Sequence, residues 1–146
     1  MSEKIKGEAE ILYLYDGAAY EPIACLTSND LSETRNIIES QTKCDPGLIT
    51  KTPGSYSYES TFEGEFIKPE AGLSSWVEIA AYIRSLTSST VIWKIVTTYA
   101  DASELIEYGT GILSDLSKTS PAGDELITFS GTISGSGAIT AVDPTV

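Results

Sequence analysis

The chain has 146 residues, of which 41% are hydrophobic, a size and composition typical of one globular domain covering residues 1–146. Nine basic and 21 acidic residues leave a net charge of −12, which excludes a protein that grips nucleic acid through its phosphates. The apolar runs are too short to cross a bilayer, and residues 1–10 lack the apolar core of a signal peptide. We therefore expect synthesis in a cytoplasm and no membrane partner.

The first half of the chain predicts four strands. Glu8–Tyr15 ends at the turn dipeptide Asp16-Gly17, and Tyr20–Thr27 is its hairpin partner. Leu31–Gln41 is a longer, more polar strand with Glu33 and Glu39 on one face. The clearest alternation runs from Ser55 to Phe66, where aromatic residues alternate with serine, threonine and glutamate. That pattern predicts a strand with an apolar inner face and an acidic outer face.

One segment follows a helical period. Apolar residues recur with a spacing of three and four from Trp76 to Leu86, and Ser75 with Glu78 forms a capping box. We expect a helix over about 75–86 that docks on the sheet through Trp76, Ile79 and Ile83.

The second half of the chain returns to strands. Thr90–Tyr99 is apolar on both faces, which is typical of a covered central strand. Three further strands are predicted at Leu105–Leu116, Glu125–Ser134 and Ala138–Val142. The fold class is therefore mainly β (α+β): an antiparallel β-sandwich or barrel of about 7–8 strands with one flanking α-helix.

The sequence contains no recognisable pattern of a catalytic, metal or phosphate-binding site. The chain has no histidine, so neither a Ser-His-Asp nor a Cys-His arrangement can form. Cys25 and Cys44 show no metal-binding spacing, and we expect buried free thiols, with a disulfide formed after release from the cell as the alternative. Gly131, Gly135 and Gly137 are not followed by a helix, so they do not form a phosphate-binding loop. We expect no cofactor, no metal and no enzymatic activity.

The end of the chain carries a resemblance to a known family. Phe129-Ser130-Gly131-Thr132-Ile133, followed by Gly135-Ser136-Gly137-Ala138-Ile139, resembles the closing segment of phage major tail proteins (tail tube proteins) of the TP901-1 type. The stretch from Tyr108 to Asp124 resembles the strand that precedes it, and the central helix followed by a Val/Ile-rich strand with a tryptophan also fits. The resemblance in layout covers nearly the whole chain and is weakest in the N-terminal hairpin.

The resemblance implies a structural subunit of a virion tail. Subunits would form hexameric rings that stack into a hollow tube, and six copies at −12 would give each ring a charge of −72. DNA would pass through the acidic lumen during ejection without specific binding. Other implied partners are tape-measure, tail terminator and baseplate or initiator proteins, with sheath proteins in a contractile tail. Assembly would take place in the host cytoplasm.

Two sets of residues are predicted for the tube. Because the acidic faces of two strands alternate with their apolar faces, the predicted lumen-lining carboxylates are Glu33, Glu39, Glu59, Glu63 and Glu65. The irregular stretch from Thr42 to Gly54 is longer than a hairpin needs, and long loops are often functional. The residues predicted for contacts between rings or subunits are Lys43, Asp45, Pro46, Leu48, Ile49, Lys51 and Pro53.

Two alternatives remain open at this point. The same features of the sequence also fit an inner-tube subunit of a contractile injection system or tailocin. A carbohydrate-binding β-sandwich would instead present exposed aromatic residues on one flat face. Its candidates are Tyr13, Tyr15, Tyr20, Tyr56 and Tyr58. Acidity that merely maintains solubility is the plainest explanation of the charge.

Overall fold

The structure is a computed structural model that describes residues 3–41, 44, 47–85 and 90–145. Seven strands form one antiparallel sheet in the order β2-β1-β5-β6-β7-β4-β3. The strands are β1 (Glu10–Tyr15), β2 (Tyr20–Pro22), β3 (Leu26–Ser40), β4 (Thr50–Glu65), β5 (Thr90–Thr98), β6 (Glu104–Thr119) and β7 (Thr128–Thr140). A 3-10 turn at Gly7–Ala9 precedes them, and the single helix among the described residues is α1 (Trp76–Arg84). The predicted mainly-β fold with one helix is confirmed.

The sheet curls because its two outermost strands are consecutive in the chain. β2 ends at Pro22 and β3 begins at Leu26, so only three residues separate opposite ends of the sheet order. The turn between them uses Cys25 in a left-handed conformation (φ 49°), and Ile23 pairs in parallel with Ser74. No ladder of backbone hydrogen bonds joins β1 to β3 among the described residues, so the curled sheet is not closed into a complete barrel.

A polar contact bridges the gap between β1 and β3. The Glu10 carboxylate of β1 accepts a hydrogen bond from the Asn29 amide of β3 (3.2 Å) and another from the Thr97 hydroxyl of β5 (3.1 Å). Thr97 is only 8% exposed, and a buried hydroxyl needs such a partner. Three strands are thereby tied together where the ladder is missing.

The core fills the inside of the curl. Every strand from β4 to β7 contributes alternate residues, and Trp93, Phe62, Leu12 and Ile133 are almost completely buried. The helix closes one side, with Ile79 and Ala80 buried and Trp76 edge-on to Phe129 at 6.2 Å between ring centroids. The predicted capping box is present, since the Glu78 carboxylate accepts the Ser75 backbone N–H (3.1 Å).

Helix docking differs from the prediction at one residue. Trp76 and Ile79 face the core as expected, but Ile83 lies at the margin and remains 36% exposed. Tyr82 takes its place, because its ring packs against the core and its hydroxyl donates to the Tyr15 carbonyl (2.8 Å). The helix therefore faces the core slightly differently from what its apolar spacing indicates.

Several strand boundaries also differ. The predicted strand Tyr20–Thr27 is split by the turn at Cys25, so its last residues belong to β3. The two predicted terminal strands are one strand, β7, interrupted by a bulge at Gly137 (φ 83°). Both cysteines are exposed rather than buried, and the described residues contain no disulfide.

Glycines on β6 and β7 make room for aromatic rings. A Cβ at Gly109 would overlap the Trp93 ring, and one at Gly135 would overlap the Tyr58 ring. Gly131 stands in the same relation to Phe62. The close approach at these glycines lies within one subunit, between the strand backbone and a core ring.

We predict that Gly109→Ala destabilises the protein. Because Trp93 is completely buried, its ring cannot move aside without disturbing the core, and overpacking of this kind costs about 1–3 kcal/mol. Chemical denaturation monitored by tryptophan fluorescence would measure the free energy of unfolding. Gly7→Ala is the matched control, because nothing lies within 4 Å of a Cβ there. Equal stability of the two variants would contradict the prediction.

Candidate functional site: a polar sheet face and a protruding arm

The face of the sheet opposite the core is polar on four neighbouring strands, β3, β4, β7 and β6. The pairing register brings Asp30 opposite Thr61, Thr61 opposite Thr132, and Thr132 opposite Asp115. Apart from Ile112 at the margin, this polar face consists of Ser28, Asp30, Ser32, Thr34, Ser57, Glu59, Thr61, Glu63, Glu65, Asp115, Ser117, Thr119, Thr128, Ser130, Thr132 and Ser134. Each of these side chains is a hydroxyl or a carboxylate.

The polar face has shallow depressions, and hydrogen bonds between hydroxyls connect some of its side chains. Its two depressions have volumes of about 250 Å³ each, one lined by Glu59 and the other by Glu63. Hydroxyls bond one another across strands, as Ser117 and Ser130 do at 2.8 Å. Such a surface offers neither a deep pocket nor a cluster of ligands, and no group of three or more potential metal ligands occurs among the residues described. The arrangement is suited to an extended hydrated surface.

Only three of the five predicted lumen carboxylates lie on the polar face. Glu59, Glu63 and Glu65 alternate along β4 as expected. Glu33 pairs with the core residue Tyr58, so it lies on the opposite face, and alternation along β3 places Glu39 with it. The five predicted lumen carboxylates therefore do not share one face of the sheet. Asp30 and Asp115, which were not predicted, contribute the remaining carboxylates of the polar face.

Glu33 has a local partner instead. Its carboxylate accepts a hydrogen bond from the Tyr56 hydroxyl at 2.5 Å, and the Arg35 guanidinium lies 5.3 Å from the Tyr56 ring centroid. The hydrogen bond to Glu33, followed by desolvation, raises the pKa of Tyr56 to about 12. Arg35 also donates to the Gly54 carbonyl (3.0 Å), which ties the two strands together at this point.

The far ends of β3 and β4 form a protruding two-stranded arm within residues 35–56, of which 35–41, 44 and 47–56 are described. β4 pairs with β7 only from Glu59 to Glu65, so the arm strands pair only with each other. A bulge between Arg35 and Ile37 marks where the arm leaves the sheet. Of the residues predicted for contacts between rings or subunits, Leu48, Ile49, Lys51 and Pro53 are exposed on the arm, whereas Lys43, Asp45 and Pro46 lie outside the described residues.

Basic side chains near the sheet are held away from the polar face. The Lys94 ammonium lies over the rings of Tyr13 (4.6 Å) and Tyr20 (4.7 Å). Lys118 lies over Phe66 (5.2 Å) and Trp76 (4.9 Å) on the helix side of β6. Contacts of this kind are attractive because the ring face is electron-rich. Lys51 instead faces Glu39 at 3.9 Å on the arm.

The tyrosines proposed for a sugar platform do not form one. Tyr58 is buried in the core, where its hydroxyl donates to the Thr110 carbonyl (2.6 Å). Tyr56 is bound to Glu33, and Tyr20 donates to Asp143 of the C-terminal segment (2.8 Å). The five rings are therefore divided between the two faces of the sheet. No helix in the described ranges is long and apolar enough to span a membrane.

The fold is shared with chains of known tube-forming particles. The sequence matches no protein-family model and no curated protein. A chain of the virion of a native gene transfer agent particle is similar with a TM-score of 0.69 and 12% identity, covering 94% of this chain and 98% of that one. The SPP1 tail tube is similar with a TM-score of 0.70 and 11% identity, covering 92% and 77%.

A chain of a contractile system is also similar. A chain of the sheath–tube complex of the PVC extracellular contractile injection system, in its extended state, has a TM-score of 0.66 and 16% identity, covering 95% of this chain and 93% of that one. At these identities the likeness shows a common fold, and it extends over almost the entire chain.

We predict that Glu33→Gln lowers the pKa of Tyr56 from about 12 towards the ordinary tyrosine value of 10, because the neutral amide no longer favours the protonated phenol. With the raised pKa, the contribution of this pair to stability is complete below pH 10 and is lost as the pH rises through about 12. Ultraviolet difference titration of tyrosinate would measure the shift. Tyr56→Phe identifies which titration step belongs to Tyr56, and an unchanged step in Glu33→Gln would contradict the pairing.

Proposed function

We propose that this chain is a structural subunit of a phage tail tube, without enzymatic activity. The chain is a single domain, residues 1–146, and six copies of it form each ring. The rings stack into a hollow tube through which DNA passes during ejection. The observation that carries the proposal is the polar face, an extended surface of hydroxyls and carboxylates with no basic side chain. The fold shared with tail-tube and particle chains supports it.

The polar face has the chemistry that a DNA conduit needs. Any lysine or arginine on the wall would bind phosphates and release counterions, which holds DNA in place. Carboxylates repel the phosphates, and hydroxyls keep the wall hydrated. We assign Glu59, Glu63, Glu65, Asp30 and Asp115 to the lumen. Glu33 and Glu39 are assigned away from it because they lie on the other face.

The unpaired strand edges supply a means of closing a ring. Along the whole length of β3, one edge has no strand partner within the described chain. On the far side of the polar face, β6 pairs with β5 only up to Ile112, so among the described residues the edge of 113–119 has no strand partner. Exposed edges of this kind are a liability in a monomer. In a ring, the β3 edge of one copy would pair with the β6 edge of the next, so that the polar faces join around a central lumen.

The remaining parts of the proposal concern assembly. The arm would make the contact between rings, through Leu48, Ile49, Lys51 and Pro53 among its described residues. Tape-measure, tail terminator and baseplate or initiator proteins would bind the completed tube, which belongs to the virion tail and is assembled in the host cytoplasm. DNA is a passenger rather than a bound ligand.

A second function of the same kind is the inner tube of a contractile injection system. The observation that favours it is the fold shared with a chain of the PVC sheath–tube complex. The two functions differ in whether the outside of the tube binds a sheath. A sheath protein encoded beside this chain that co-assembles with its tubes would support the contractile system, and its absence from purified particles would support a non-contractile tail.

We predict that the purified chain self-assembles. Negative-stain electron microscopy should show hollow tubes or six-fold rings, because the β3 and β6 edges, which lack a strand partner among the described residues, would pair between copies. Light scattering on the same sample should show mass that increases with protein concentration. A chain that stays monomeric at every concentration and salt tested would contradict self-assembly and favour a binding module.

We predict that Glu59→Lys combined with Glu63→Lys makes the tubes bind DNA. Two lysines per copy would line the lumen with cations, and the binding should weaken steeply between about 50 mM and 200 mM salt. Co-sedimentation of tubes with short double-stranded DNA would measure it, and particles built from the variant should eject DNA more slowly.

The matched control is Glu70→Lys combined with Glu125→Lys. It has the same net charge, but its lysines lie in exposed segments that belong to none of the four strands of the polar face. Wild-type and control tubes should leave the DNA in the supernatant. Equal DNA binding by the two double variants would show that net charge, rather than the polar face, decides the outcome and would overturn the lumen assignment.

A further inference from the structure

The arm ends in apolar side chains that have no cover. Ile37, Ile38, Leu48 and Ile49 are each more than half exposed. They lie beyond the last pairing of β4 with β7, so no other strand of the subunit reaches them. Four exposed aliphatic residues in one protrusion are unfavourable in water, and such patches mark interaction surfaces.

A cavity opens at the other end of the same strand. Its volume is about 720 Å³, and we call it the mouth, since it lies where the curled sheet is open between β1 and β3. Its apolar walls are Ile5, Ile11, Leu26 and Leu105, of which Ile5, Ile11 and Leu105 are 39–45% exposed. Its polar side includes Glu8 and Glu10, the latter held by Asn29 and Thr97.

The arm and the mouth lie at opposite ends of β3. Leu26 and Asn29 line the mouth at the start of this 15-residue strand, and the arm is its other end. At about 3.3 Å per residue, the strand separates the two features by roughly 45 Å. A subunit therefore cannot place its own arm in its own mouth. A protrusion and a cavity at opposite ends of one element are suited to a head-to-tail contact between copies.

The charges of the two ends are complementary. The arm sequence contains three basic and two acidic residues, whereas the whole chain has 9 basic and 21 acidic. The charged side chains that line the mouth are Glu8, Glu10 and Lys6, so carboxylates predominate there. The net charge is +1 on the arm (three basic minus two acidic residues) and −1 at the mouth (one basic minus two acidic), so a weak attraction favours the orientation that brings the arm of one copy to the mouth of the next.

From these observations we propose that the mouth is the receptor for the arm of a second copy, with Leu48 and Ile49 packed against Ile11, Leu26 and Leu105. The inference rests on the proposed function and extends it by naming the surface on which one ring receives the next. Burial of two aliphatic side chains in a preformed cavity supplies the affinity, and repetition around a ring multiplies it.

The first test is a disulfide between copies. In a Cys25→Ser, Cys44→Ser background, Leu48→Cys combined with Leu105→Cys should give a ladder of covalent oligomers on non-reducing gels after mild oxidation of assembled protein. The control pair, Leu48→Cys with Val77→Cys, places the second thiol on the exposed side of α1, and it should give no ladder. Rings or tubes without a ladder from the first pair would overturn the inference.

The second test changes the packing without any cross-link. Leu48→Asp with Ile49→Asp puts charge on the arm, and Leu105→Trp fills the mouth. Each should reduce the fraction of protein in sedimenting tubes at least tenfold while rings still form, whereas Val77→Asp should assemble like wild type. Full-length tubes from both arm and mouth variants would overturn the inference and leave the proposed function intact. A wild-type chain that forms neither rings nor tubes nor a ladder would overturn both.

Discussion

The short connection between β2 and β3 is the constraint on which the rest of the structure depends. The strands lie at opposite ends of the sheet order, yet three residues join them, so the sheet has to curl until its two ends meet. The left-handed conformation of Cys25 allows the sharp turn, and Glu10 ties β1 to β3 where no ladder exists. The curl creates an inner face that a single helix can shield from water and an outer face that stays exposed to solvent.

The inner and outer faces of the same strands therefore differ in their residues and packing. On the inside, ring and backbone fit closely, with glycine on β6 or β7 opposite Trp93, Phe62 or Tyr58. On the outside, β4 presents Glu59 and Glu63 among hydroxyls, and both side chains are exposed. Lys94 and Lys118 contact aromatic rings outside the polar face, so the charged side chains of the polar face are all acidic. Five of the 21 acidic residues of the chain lie on this wall: Asp30, Glu59, Glu63, Glu65 and Asp115.

Local patterns in the sequence predicted local features well. The alternation of β4, the capping box at Ser75 and Glu78, and a mainly antiparallel fold with one helix are all present. Pairing between distant strands was less accessible. Glu33 and the carboxylates of β4 lie on opposite faces, and the sequence did not reveal this because it depends on the register of β3 against β4. The mouth was not foreseen, because Glu10, Asn29 and Thr97 meet only after the sheet curls.

The polar face consists of an even number of strands. Its four strands are antiparallel to their neighbours, so the outer two, β3 and β6, run in opposite directions. When copies related by rotation are set side by side, the β3 of one and the β6 of the next are antiparallel as well. An even number of strands keeps this alternation for any number of copies. Strand direction therefore does not fix the number of subunits in a ring. The diameter of a ring built this way has to be set by the angle at each junction between β3 and β6.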